Sequence, residues 1–245
     1  MTSAPIVLVA GGAGGVGEGI VRALLRDTDA RVVATSRDPA RLALLESRLA
    51  GTIARGRLIG VVGNAGDPRG AEAIAATVRD DVGPLDVAIP SLGGWWEGGP
   101  LLGVDLPVWD AVMAEMLTTH FAFACTFVPE LERRPGGWYL AIGGGAAFFP
   151  VPKAAIVSVA AAGQAMLTRA LADETTGRPV RVNELIVNGP VRTRDSEGIA
   201  GPGWITADEV GTVVAELLRD GATRWPAFRE RGPLLIMDPL PQTAP

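Results

Sequence analysis

The chain has 245 residues, 48% of them hydrophobic and 20% charged, which suits one domain (residues 1–245) with a large buried core. The formal net charge of -5 argues against a protein that neutralises nucleic-acid phosphates. Cys125 and His120 are the only residues of their kinds, which excludes an internal disulfide and a metal site of several cysteines or histidines.

Apolar runs and amphipathic stretches alternate along the sequence. In chain order, the runs predict strands at 6–10, 31–35, 58–62, 85–90, 138–142, 180–187 and 234–237. Between them, the periodicity predicts helices at 17–26, 39–49, 70–80, 107–131, 156–174 and 207–218. This alternation predicts an α/β fold: a single Rossmann-like, doubly wound parallel sheet with helices on both faces.

A glycine-rich segment, GGAGGVG at residues 11–17, joins the first strand to the first helix. Here Gly11 would allow a tight turn, Gly15 a close approach of backbone to a pyrophosphate, and Gly17 close packing of helix on strand. The helix N-terminus would add N–H donors and a positive dipole for phosphates. The segment predicts a dinucleotide site, with a glycine-rich turn of an ordinary α/β protein as the alternative.

The end of the second strand indicates which dinucleotide would bind. Ser36 and Arg37 stand where an acidic residue would favour the ribose hydroxyls of NAD. A hydroxyl and a guanidinium suit a 2′-phosphate instead, so we predict NADP(H) rather than NAD(H). The alternative is that Arg37 is a solvated loop residue.

Four further segments occur in the same order along the chain as similar segments in one enzyme family. Residues 85–89 (LDVAI), 167–172 (LTRALA), 181–183 (RVN) and 188–193 (NGPVRT) join the glycine segment in this order. Over nearly the whole chain the sequence resembles the short-chain dehydrogenase/reductase family. This resemblance implies a cofactor site that contains Gly11, Gly15, Val16, Gly17, Ser36, Arg37, Asn64, Ala65, Gly93, Gly189, Val191 and Thr193.

The same resemblance locates four positions of acid/base chemistry. The family uses a Tyr, a Lys one helical turn later, a Ser before them and an Asn on the preceding helix. This chain has Val157, Ala161, Gly144 and Met116 there. None of these side chains donates or accepts a proton, so the usual proton transfer lacks its groups.

Three other residues are candidates for that proton transfer. Glu97 follows two tryptophans after the fourth strand, His120 lies one helical turn after Met116, and Lys153 precedes the next long helix. A histidine could titrate near neutral pH, and a desolvated carboxylate could act as a base. The alternatives are a packed loop for Glu97, core packing or an interface for His120, and surface charge for Lys153.

A substrate pocket is predicted beside the cofactor. Its expected residues are Trp95, Trp96, Gly144, Phe148 and Val157. Residues 197–204 resemble the family's mobile lid over the substrate. No metal site is expected.

These features predict an NADP(H)-binding oxidoreductase with non-standard acid/base groups, acting on a small, partly apolar carbonyl or alcohol. The alternatives are a non-redox cyclase, lyase or isomerase, or a catalytically silent homologue that binds the cofactor. The predicted helices 107–131 and 156–174 resemble the helix pair through which the family forms oligomers. Since Ala160, Ala161, Ala162 and Gly163 would allow close approach, we expect a homodimer or homotetramer through these helices. No signal peptide and no stretch of about 18 apolar residues was found, so we expect a cytoplasmic protein without membrane or nucleic-acid partners.

Overall fold

The computed structural model describes residues 4–51, 56–219, 228–231 and 234–237. The described strands are β1 Ile6–Ala10, β2 Arg31–Ser36, β3 Leu58–Val62, β4 Val87–Pro90, β5 Gly137–Gly144, β6 Val180–Val187, β7 Val191–Arg192, β8 Ile205–Thr206, β9 Phe228–Arg231 and β10 Leu234–Met237. The described helices are α1 Gly15–Asp27, α2 Pro39–Leu49, α3 Pro68–Thr77, α4 Leu106–Met113, α5 Thr119–Leu131, α6 Ala155–Glu174 and α7 Ala207–Arg219.

The central sheet has the strand order β3-β2-β1-β4-β5-β6-β10-β9. The six strands from β3 to β6 are parallel; Val7 on β1, for example, pairs with Val32 on β2 and Val87 on β4. The predicted parallel sheet is therefore confirmed. At its edge, β10 runs antiparallel to both β6 and β9.

Helices cover both faces of the sheet. One apolar core lies under α1, α2 and α7, and includes Ile20, Leu45 and Val214. The other lies under α3, α5 and α6, and includes Ile74 and Phe127. This arrangement places the carboxyl ends of β1, β2, β4 and β5 at one edge, where parallel α/β sheets bind their ligands.

Aspartates begin three of the helices. Asp38, Asp67 and Asp105 each accept a hydrogen bond from a backbone N–H in the first turn of α2, α3 or α4. Because Pro68 directly follows its cap and Pro favours the first helical position, α3 begins at Pro68 rather than at the predicted Gly70.

The predicted helix 107–131 contains an irregular turn. Residues Ala114–Thr118 form a π-helix between α4 and α5, and a second π-helix, Val78–Val82, follows α3. Such turns often occur at functional sites because they redirect side chains. Met116 lies in the first of them.

Length and hydropathy would allow two helices, Leu106–Leu131 and Ala155–Glu174, to cross a membrane, so the sequence-based expectation that no segment would do so was wrong. Both helices pack on strands of the central sheet. Core helices of α/β proteins meet the same criterion, so the finding does not assign a membrane location.

The small residues of α6 mainly contact their own chain. Ala160 and Ala161 are buried, and a side chain at Gly163 would press against Leu117. Ala162 alone of the predicted four is exposed. Within one chain, these residues accommodate the neighbouring π-helix and the core, and the expected contact between subunits stays a prediction.

Candidate cofactor and substrate site

The glycine segment turns tightly between β1 and α1. Gly11 has a φ of 73°, and a Cβ there would overlap the carbonyl oxygen of Ser91 at the end of β4. A Cβ at Gly17 would overlap the carbonyl oxygen of Gly11. Both glycines are therefore required by the backbone itself, as the sequence predicted for a turn followed by close packing.

Gly15 faces the segment that follows β7. A Cβ on Gly15 would lie 2.8 Å from Cβ and Cγ2 of Thr193. Two distant stretches of sequence that were both assigned to the cofactor thus meet at the first turn of α1. Gly14 is the N-cap residue of this helix and makes no side-chain hydrogen bond to its first turn.

The end of β2 carries the candidate 2′-phosphate contacts. Thr35 is buried and its hydroxyl accepts a hydrogen bond from Gly11 N–H at 3.3 Å. Ser36 is half-buried, and its Oγ accepts a hydrogen bond from Asp38 N–H at 3.1 Å. Arg37 is exposed, and no described residue forms an ion pair with it. Its guanidinium group therefore remains available to an anion.

The remaining cofactor candidates lie after other strands of the sheet. Asn64 follows β3, and its Oδ1 accepts from Gly66 N–H at 3.1 Å, while Ala65 is buried. Gly93 follows β4 with a φ of 106° and lies beside Met116. Gly189 precedes β7, in which Val191 pairs with Ile205, and Val16 packs on the core under α1.

The positions of the family's acid/base residues are apolar. Val157 and Ala161 are buried on α6. Val157 belongs to a small apolar cluster that also contains Trp96 and Met116. At Gly144, the end of β5, an added Cβ would meet no atom within 4 Å. The site thus offers apolar surface and open space at the positions that the sequence resemblance assigned to the family's proton-transfer groups.

His120 is buried and does not titrate near neutral pH. Burial lowers its pKa from 6.5 to about 4, although a hydrogen bond to the Leu92 carbonyl opposes this shift. The neutral ring donates from Nε2 to that carbonyl oxygen at 3.2 Å, since a carbonyl can only accept. Nδ1 has no hydrogen-bond partner among the described residues. His120 therefore contacts the loop after β4 and packs in the interior, as the core-packing alternative predicted, and its lowered pKa does not favour titration near neutral pH.

Glu97 and Lys153 lie on two adjoining loops. The N–H of Gly98 donates to the carbonyl oxygen of Lys153 at 2.8 Å, which joins the loop after β4 to the loop before α6. Both charged side chains are exposed. Lys153 adopts a φ of 61°, a left-handed conformation that is uncommon for a residue with a side chain. The structure thus brings Glu97 and Lys153 onto neighbouring loops, and buried His120 bonds to the first of these loops through the Leu92 carbonyl.

Three of the five predicted pocket residues have described neighbours in two places, and the pocket itself stays a prediction. Trp96 and Val157 share the small apolar cluster, whereas Trp95 is 64% exposed. Phe148 lies in a different, open groove of about 340 Å³, together with Phe149, Pro150, Ser158 and Val159. Trp96 thus packs beside Val157, whereas Trp95 is largely open to solvent.

Two buried carboxylates were missed by the sequence analysis. Glu184 on β6 is 2% exposed, neither of its oxygens has a described hydrogen-bond partner, and burial raises its pKa to about 7. Glu18 on α1 is also buried, but three arginines surround it. Each lies in an unremarkable sequence context, so only the long-range contacts identify it.

The chain is similar to known proteins along most of its length. The family model described as short chain dehydrogenase matches residues 5–199. The human protein "Dehydrogenase/reductase SDR family member 2, mitochondrial" is 28% identical over 196 residues, which cover 80% of this chain and 68% of that protein. "Dehydrogenase/reductase SDR family member 4" from Pongo abelii is 29% identical over 178 residues, 73% of this chain and 63% of that protein. The chain thus spans about two thirds of the length of these relatives.

Solved structures share the fold. An NADPH-bound short-chain oxidoreductase from Pseudomonas aeruginosa PAO1, described as containing an atypical catalytic center, gives a TM-score of 0.76 at 22% identity, over 86% of this chain and 88% of that one. A metagenomic short-chain oxidoreductase in complex with NADP gives a TM-score of 0.72 at 27% identity, over 87% and 89%.

Proposed function

Because the chain belongs to the short-chain dehydrogenase family, we propose that it is an atypical NADP(H)-dependent oxidoreductase. Its substrate would be a small, partly apolar carbonyl compound or alcohol. The observation that carries the cofactor preference is Arg37, an exposed guanidinium at the end of β2 without a described acidic partner. The metagenomic relative solved with NADP supports the same preference.

The first turn of α1 fits a bound pyrophosphate. Gly15 presents backbone without a side chain and lies beside Thr193, and the N-cap residue Gly14 makes no side-chain hydrogen bond to the first turn. N–H groups at such a helix end bind anions through hydrogen bonds and the helix dipole. These residues would hold the phosphates, and the loop that contains Gly93 would lie towards the nicotinamide.

NADP(H), when bound, supplies the hydride. The chain's own residues then provide apolar walls through Trp96, Met116 and Val157, and open space at Gly144. Glu97 and Lys153, on their joined loops, are the remaining candidates to give or take the proton. His120 is neutral and positions the Leu92 carbonyl instead.

Arg37→Gln tests the cofactor proposal. We expect the NADPH dissociation constant to rise about tenfold or more, because a charge-assisted contact to the 2′-phosphate is lost. NADH binding should be unchanged, since NADH has no such phosphate. Isothermal titration calorimetry measures both constants.

Arg41→Gln is the matched control, because Arg41 is an exposed arginine one turn into α2. It should leave both constants within about twofold of wild type. Equal NADPH affinity of wild type and Arg37→Gln would contradict the assignment of Arg37.

A catalytically silent or non-redox role is the second candidate, favoured by the apolar cluster of Val157, Met116 and Trp96. It predicts that the protein binds NADPH but does not change its absorbance near 340 nm with any carbonyl substrate. Under the oxidoreductase proposal, some carbonyl substrate produces that change, and Glu97→Gln or Lys153→Met slows it.

A further inference from the structure

The segment after β7 is attached to the first turn of α1. Residues Arg194–Ile199 form a 3-10 helix, capped at Thr193. The Thr193 N–H donates to Ser196 Oγ at 2.9 Å, which completes a capping box. We call residues 193–199 the capping segment. It begins earlier than the lid predicted at 197–204.

Glu18 forms ion pairs with three arginines, which come from three different parts of the chain. Arg48 on α2 binds both carboxylate oxygens of Glu18, at 2.8 and 2.7 Å. Arg22 on α1 lies at 3.0 Å and Arg194 of the capping segment at 2.8 Å. The Glu18 side chain is only 6% exposed, whereas that of Arg194 is 43% exposed. The buried Glu18 carboxylate is therefore linked to the exposed capping segment through Arg194.

Two consecutive residues of the capping segment thus contact one face of α1. Thr193 lies against Gly15, and Arg194 binds Glu18. Gly15 and Glu18 are three residues apart, so they are neighbours on the same side of the helix. These two contacts therefore fix the distance between the capping segment and the first turn of α1, which is the candidate phosphate-binding turn.

We infer that Glu18 is a positioning residue of the cofactor site: through Arg194 it holds Thr193 against Gly15, where the cofactor phosphates would lie. This inference rests on the proposed NADP(H) function. Arg22 and Arg48 form ion pairs with the buried Glu18 carboxylate. Arg194 forms a third ion pair, which connects this carboxylate to the capping segment. The other described hydrogen bonds of the segment are those of the capping box and one from Ser196 Oγ to the Val191 carbonyl on β7, and none of them reaches α1.

Arg194→Met tests the inference. It removes the guanidinium but keeps the length of the side chain, and Arg22 and Arg48 still pair with Glu18. We expect cleavage after Glu197 by a glutamate-specific protease to become about tenfold faster in the cofactor-free protein, because the segment detaches from α1. NADPH affinity should fall by about tenfold, and the temperature of unfolding should change little. Mass spectrometry identifies the Glu197 cut, and calorimetry gives the affinity.

Arg22→Met is the matched control, since it removes another guanidinium from Glu18 without touching the capping segment. It should leave cleavage at Glu197 within about twofold of wild type. Arg194→Lys should restore part of both effects, because an ammonium can still pair with Glu18. A purely structural role of Arg194 would lower the unfolding temperature without selective cleavage at Glu197.

Wild-type cleavage rates in Arg194→Met would overturn the inference, whatever the cofactor result. If wild type does not bind NADPH, the proposed function fails, but the cleavage rates still decide whether Arg194 holds the segment. Faster cleavage with unchanged NADPH affinity would overturn the positioning role in the cofactor site.

Discussion

Two buried titratable residues have their pKa values shifted in opposite ways by the same cause. Burial disfavours the charged form, so it lowers the pKa of His120 to about 4 and raises that of Glu184 to about 7. His120 is therefore mostly uncharged between about pH 4 and pH 6.5, where an exposed histidine is charged. Glu184 is mostly uncharged between pH 4.5 and about pH 7, where an exposed glutamate is charged. Glu184 lies against Gly143, and Arg169 and Tyr139 interact with it electrostatically.

Glu184→Gln should remove a pH dependence of stability. The folded protein holds the Glu184 proton more tightly than the unfolded chain does. Wild type therefore loses stability as the pH rises from the unfolded value near 4.5 to the folded value of about 7. The shift corresponds to about 3 kcal/mol of unfolding free energy. We expect the advantage of Glu184→Gln over wild type to grow by about this amount between about pH 4 and about pH 8, measured by urea denaturation.

Glu72→Gln on α3 is the control, because Glu72 is exposed. Its unfolding free energy should follow wild type across the same pH range. If Glu184→Gln and wild type also change in parallel with pH, the buried carboxyl does not take up a proton on folding.

At the scale of elements, apolar runs with clear boundaries predicted the structure best. The strands β1, β3, β6 and β10 and the helix α2 have the predicted bounds. The strand β9 was missed because its sequence, FRER, is mostly charged, as is common for an edge strand. The π-helix at 114–118 was missed because its apolar pattern continues that of the flanking helices.

The candidate site was predictable where it depends on local sequence. Gly11 and Gly17 have the close backbone contacts expected of them, whereas the contact between Gly15 and Thr193 was not predicted and is seen only in the folded chain. Glu18 was not recognised, because a single glutamate in a first helical turn ordinarily favours the helix dipole alone. Its partners Arg48 and Arg194 lie 30 and 176 residues away, and only the folded chain brings them together.

At the scale of the whole molecule, the outer face of α5 and α6 carries exposed apolar side chains. Phe121 is 56% exposed, Met166 59% and Val159 39%. We propose that these side chains join two copies of the chain in a homodimer or homotetramer, since exposed apolar side chains are often buried at an interface. This rests on the exposed residues rather than on the small residues of α6.

Met166→Glu should weaken this association, because it places a charge in the proposed contact. Light scattering after size exclusion should give a dimer or tetramer for wild type and a smaller species for the variant. Leu44→Glu, on the exposed side of α2, is the control and should keep the wild-type mass. A monomeric wild type at all concentrations would contradict the proposed interface.

The central claim is that the chain binds NADP(H) through the first turn of α1 and Arg37. The most direct measurement is a calorimetric titration of the purified protein with NADPH and then with NADH. The account predicts a dissociation constant of about micromolar size for NADPH and binding at least about tenfold weaker for NADH. Failure to bind either dinucleotide, or equal affinity for the two, would contradict it.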